Sequence, residues 1–148
     1  MWTTYLAALL TPVIAVFGAM IGYRQWRTAQ NKLKLDLFER RYAIYDALRG
    51  YLSVIMTTGK TDIVSEQKFL QGTHGAKWLL NDDIEHYLHI VIWHKACDLG
   101  CLQSELEGHG VGEERTIRVH KAADIKKWFG DQYEVVDKKF EKFLKLRH

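Results

Sequence analysis

Two histidines and two cysteines, His86, His94, Cys97 and Cys101, fall on one stripe of a predicted helix, with Ile90 filling the remaining step. Imidazole and thiolate together are good zinc ligands, and a structural zinc takes four of them in a tetrahedron. One straight helix offers at most two at a time, His94 with Cys97 or Cys97 with Cys101. The others must come from elsewhere, and nothing in the spacing brings His109 or His120 there. The stripe lies off the leucine face of the same helix, where cysteine commonly serves as a small hydrophobe. A second packing face is the preferred reading and a weak metal site the other, so no metal ligand is assigned.

The remaining candidates for chemistry fare no better. Cys97 or Cys101 beside His94 would need an electropositive setting and an orienting third group, whereas Lys95 and Asp98 are expected to point round the helix. Asp82-Asp83 and Glu113-Glu114 are accounted for as helix openings, where carboxylates meet the positive end of the dipole. Gly59-Lys60-Thr61 matches the end of a phosphate-binding loop, but the glycine required five residues earlier is Val54. That stretch, Thr57–Asp62, is a turn. No catalytic residue, cofactor or small-molecule substrate is expected, and the chain does not read as an enzyme.

The elements behind these residues are helical. The chain has 148 residues, 47% hydrophobic and 26% charged, with a single proline, the balance of a folded domain rather than a disordered one. Its charge is uneven. Residues 24–60 hold eight Lys/Arg against Asp36, Glu39 and Asp46, a net of +5, and residues 61–148 hold thirteen basic against fifteen acidic side chains, a net of −2. Basic excess gathered beside an apolar segment suits a membrane surface better than a nucleic acid, for which no binding motif is present.

Residues 2–23 carry no charge, and a helix of about 20 residues crosses the hydrocarbon of a bilayer. Trp2, Tyr5, Tyr23 and Trp26 stand at its ends, as expected of the headgroup layer, and Pro12 predicts a slight kink. A cleaved signal peptide would need a basic stretch in front, and none precedes Arg24. The cluster Arg24, Arg27, Lys32 and Lys34 follows the span, which places the N-terminus outside and the C-terminal domain in the cytoplasm. Two cysteines fit a reducing compartment. Ala15, Gly18, Ala19 and Gly22 share one face, where small residues let two membrane helices approach, whether the partner is a second copy or another membrane protein.

Three segments are expected: an anchor over 1–23, a juxtamembrane stalk helix over 24–56, and a cytoplasmic helical domain over 57–148 that packs with the stalk. Leu33, Leu37, Ile44, Leu48, Tyr51 and Ile55 recur near a 3.6-residue period, so the stalk should present one apolar stripe to the rest. Asp36, Glu39, Arg40, Arg41 and Asp46 are either a docking surface or local ion pairs of the Asp36–Arg40 kind. A short helix is expected over 62–72. A long one starts with Asp82 as N-cap and Glu85 three residues on, and uses Ile84, Leu88, Val91, Leu99, Leu102 and Leu106 as its core face. The connection at 108–112 ends it, and helices over about 113–129 and 131–146 follow, parted at Gly130-Asp131. No alternating strand pattern occurs, so the fold class is all-α.

"KLKLDLFERRYAIYDALRGYL", "WLLNDDIEHYL", "LQSELEG" followed by "GEER", and "WFGDQYEVVDKKFEKFLKL" together resemble a family of small bacterial proteins, over about residues 20–146. That family has one N-terminal membrane helix, a Lys-Leu-x-Leu-Asp-Leu-Phe segment and a helical remainder. The resemblance implies the anchor, the bacterial inner membrane and the helical domain, and no activity. The function expected is that of a single-pass membrane protein working through protein contacts, as an accessory subunit, scaffold or sensor. The alternative is a membrane-acting effector such as a small defence or toxin protein.

Overall fold

The computed structural model describes the backbone of residues 2–108 and 112–145 and the side chains of residues 14–108 and 112–145. The described residues are helical with short turns and contain no strand, so the fold is all-α. In order they are α1 (Trp2–Thr58), α2 (Ile63–Thr73), α3 (Ala76–Leu79), α4 (Asp82–His86), a π-helical segment (Tyr87–Ile92), α5 (Trp93–Gly108) and α6 (Glu113–Leu144). The chain divides into two compact units, Met1–Leu37 and Phe38–His148. Among the described residues no helix is long and apolar enough to cross a membrane. The side chains of residues 2–13, which include Trp2, Tyr5 and Pro12 of the expected span, lie outside the described ones, as do residues 109–111 and 146–148.

The larger unit is built round one core. α1 contributes Ile44, Leu48, Tyr51, Leu52 and Ile55, α2 Phe69, α3 Ala76, and α5 Ala96 and Leu99, while Ile84, Tyr87, Leu88 and Ile92 come from the stretch between. α6 closes it with Phe129, Val136 and Phe140. The predicted α1 stripe is thus covered from Ile44 onward. Its first two members are not, because Leu33 is 65% and Leu37 38% exposed. α1 ends at Thr58, and Gly59 after it has a φ of +70°, in the left-handed region that glycine enters without strain. The α5 residue Gln103 then holds the turn at both ends of its amide, donating to the Gly59 carbonyl at 3.0 Å and accepting from Thr61 N–H at 3.3 Å.

Sequence reading places the start of α4 one residue late. Asn81 is the N-cap, its side-chain oxygen accepting from Ile84 N–H at 3.0 Å, while Asp82 and Glu85 fall inside the first turn. α2 begins as expected at Asp62, which accepts from Ser65 N–H at 3.0 Å. The hydrogen bond from the Ser65 hydroxyl, at 2.6 Å, holds the Asp62 carboxyl below its ordinary range.

The core face after Leu88 also differs from expectation. A π-helical segment closes its rings one residue wider than an α-helix, so the buried position moves from Val91 to Ile92 and onward to Ala96. Val91 is exposed, and Leu102 and Leu106 are only half-buried. The segment is fastened across the core by Tyr87, whose hydroxyl donates to Gln132 Oε1 of α6 at 2.8 Å.

Two helices were expected over 113–146, and a single one is found over Glu113–Leu144. Gly130 does not break it. A Cβ there would stand 3.3 Å from Met56 Cε of α1, so this glycine gives the Met56 methyl room to pack against an unbroken helix. Among the described residues the buried Tyr51 hydroxyl has no hydrogen-bond partner, although its ring stacks on Phe69 with centroids 4.7 Å apart. Its burial, with Glu66 next in effect, raises the phenol pKa. Tyr51→Phe should therefore leave stability unchanged or raise it by about 1 kcal/mol in a denaturant titration, since it removes a desolvated group that gains nothing back. A loss of that size would mean that the hydroxyl is satisfied by an internal water.

Candidate functional site

The N-terminal unit carries both groups of residues singled out at its end of the chain. Ala15, Gly18, Ala19 and Gly22 are exposed, and a Cβ built on either glycine would meet nothing within 4 Å. A glycine in a helix interior costs about 0.8–1.0 kcal/mol relative to alanine, and no packing among the described residues of this unit accounts for either one. Round them, Ile14, Val16, Phe17, Met20 and Ile21 are each more than half exposed. Arg24, Arg27, Lys32 and Lys34 are exposed in turn, on the turns that follow. Tyr23 and Trp26 stand together at the change from apolar to basic, with ring centroids 6.1 Å apart. What the arrangement offers is an uncovered apolar helix ending in an aromatic pair and four cations.

The histidine–cysteine stripe is not a packing face. His86, Ile90, His94, Cys97 and Cys101 are all exposed, on the side of the helix away from buried Leu88, Ile92, Ala96 and Leu99. Among the described residues no three His, Cys, Asp or Glu side chains come together to hold a metal; His109 lies outside them. Desolvation pushes the Cys97 thiol pKa up, and the charges of Glu66, Cys101 and Asp98 add to the rise. A raised pKa disfavours the thiolate, the form that attacks electrophiles and binds metals. Cys101 does share an open concavity of about 470 Å³ with Lys95, Asp98, Glu105, Lys121 and Asp124. Lys95 and Asp98 thus line the same hollow as Cys101 instead of pointing round the helix from it, but opposite charges interleave there and none of the described histidines lines it.

The exposure of both cysteines makes a test simple. Cys97→Ser with Cys101→Ser should leave helical content intact and shift stability by no more than about 0.5 kcal/mol. The purified wild-type chain should carry no stoichiometric zinc. Loss of several kcal/mol in the double variant, or about one zinc per chain by elemental analysis, would show a structural metal site.

The charged segment of α1 is split between two roles. Arg41 works inside the larger unit, its Nε donating to the Leu79 carbonyl at 2.9 Å and its guanidinium lying 5.8 Å from the Phe143 ring centroid. Arg49 lies 3.1 Å from Asp137 Oδ1 and 4.7 Å from the Tyr133 ring centroid, while the Tyr45 hydroxyl donates to the same carboxylate at 2.7 Å. These contacts tie α1 to α3 and α6. Residues 88 or 92 positions apart form the second cluster, and no local pattern announces it.

No family model, curated protein or solved structure matches the chain.

Proposed function

We propose that the chain is a single-pass, membrane-anchored helical protein that works through protein–protein contacts, as an accessory subunit, scaffold or sensor of a membrane assembly. The observation that carries this reading is the run of 22 uncharged residues from Trp2 to Tyr23, followed at once by Arg24, Arg27, Lys32 and Lys34. In its described portion Ile14, Val16, Phe17, Met20 and Ile21 are each more than half exposed. Apolar surface held in water costs about 25 cal/mol per Å², and a bilayer relieves that cost along the whole run. The four cations then meet anionic headgroups, each contributing about 1 kcal/mol. Their position after the span puts the N-terminus outside and the helical domain in the cytoplasm. The domain acts by contact, and no catalytic step, cofactor or nucleic acid enters the proposal.

Paired reporters fused after His148 test it. A fluorescent protein that matures only in the cytoplasm should light up at the cell rim, and a phosphatase that works only in the periplasm should stay inactive. An active phosphatase would reverse the topology, and fluorescence spread through the cell interior would remove the anchor.

A further inference from the structure

The apolar side of the N-terminal unit has a repeat that neither the small residues nor the basic cluster shows alone. Ala15, Gly18, Gly22, Trp26, Ala29, Leu33 and Leu37 follow one another by steps of 3, 4, 4, 3, 4 and 4 residues. That is an 11-residue repeat, about 3.67 residues per turn, which keeps a contact line on one side of a helix and winds two such helices slightly right-handed. Gly-x-x-x-Gly pairs in membranes favour crossings of the same hand. All seven positions are exposed, Trp26 at 59% and Leu33 at 65%.

We infer that this line is the seam of a parallel homodimer, in which α1 of a second copy packs along residues 15–37. Charge placement selects the occupant. At 100° per residue, Arg24 lies opposite the seam, and Arg27, Lys32 and Lys34 lie about a quarter turn or more from it. Two identical helices can therefore meet without setting like charges face to face. Gln25 and Gln30 border the line instead, neutral side chains that both donate and accept and so can pair with their own copies. Asp36 is the nearest charge, and Arg40 takes the next place in the repeat, which closes the seam at Leu37. A helix lying flat on lipid would show a broad apolar face, whereas past Tyr23 the stripe is one residue wide and Leu35 points to the other side. The parallel orientation rests on the anchored reading, since a shared anchor makes both copies enter the bilayer the same way.

Disulfide mapping in isolated membranes tests the seam on the full chain, with Cys97→Ser and Cys101→Ser removing the native thiols. Single cysteines at Ala29, Leu33 and Leu37 should give a dimer band on mild oxidation, and those at Asn31 and Leu35 should not. Leu33→Glu should abolish the bands at 29 and 37, while Leu35→Glu, an equal change on the other side, should leave them. Equal bands at all five positions, no band at any, or crosslinks only to a different protein would each overturn the seam. Alkaline extraction of the same membranes reads the anchor separately. Chain in the pellet without seam bands would sink the dimer and keep the anchor, and seam bands on extracted chain would do the reverse.

Discussion

Phe69→Ala should destabilise the helical domain by about 3–5 kcal/mol, the range for truncating a fully buried phenylalanine. Phe69 is 1% exposed and is the buried apolar side chain of α2, so the seating of that helix depends on it. Its ring stacks on Tyr51 of α1 and lies 6.5 Å from that of His89 in the π-helical segment, and truncation would empty the space where the three elements meet. Urea titration followed by circular dichroism measures the effect as a lower midpoint. A change below about 1 kcal/mol would mean that α2 is not held against α1 in this way.

Gly72→Ala should also destabilise, although alanine is the better helix former by about 1 kcal/mol. A Cβ at residue 72 would stand only 2.6 Å from Ala47 Cβ, a distance at which the helices themselves must move apart. Overpacking of that kind costs about 1–3 kcal/mol, enough to reverse the sign expected from propensity. Gly50→Ala is the matched control, because a Cβ there meets nothing within 4 Å and the helix should gain up to about 1 kcal/mol. Adding Ala47→Gly to Gly72→Ala should recover most of the loss. If Gly72→Ala stabilised as Gly50→Ala does, α1 and α2 would not cross at this point.

Much of the larger unit was legible because its period is simple. Ile44, Leu48, Tyr51 and Ile55 are the buried face of α1, as the 3.6-residue spacing gives them. The π-helical segment was not legible. An extra residue in one turn leaves composition unchanged but moves later positions round the helix, so the core falls on Ile92 rather than on the expected Val91. The histidine–cysteine stripe faces solvent for a different reason: it lies on the side away from buried Leu88 and Leu99, and its residue types alone do not show what covers it. Gly130 was misread for a related reason: glycine marks a break or a close approach equally well, and only Met56, 74 residues away, decides which. Arg41 and the Arg49–Asp137 cluster depend on partners distant in sequence, and no motif announces such pairs. For the N-terminal segment the sequence was the fuller source, because charge and apolarity are properties of composition.

Retention in the membrane under alkaline washing tests the proposed anchor most directly. Membranes from cells producing the full chain are washed at alkaline pH in carbonate, which strips peripheral proteins and leaves those that span the bilayer. With the uncharged run spanning the bilayer as proposed, the chain should stay in the pellet, because leaving the hydrocarbon would expose Ile14, Val16, Phe17, Met20 and Ile21 to water. Recovery of the intact chain in the aqueous wash would contradict the anchor and the orientation argued from Arg24, Arg27, Lys32 and Lys34.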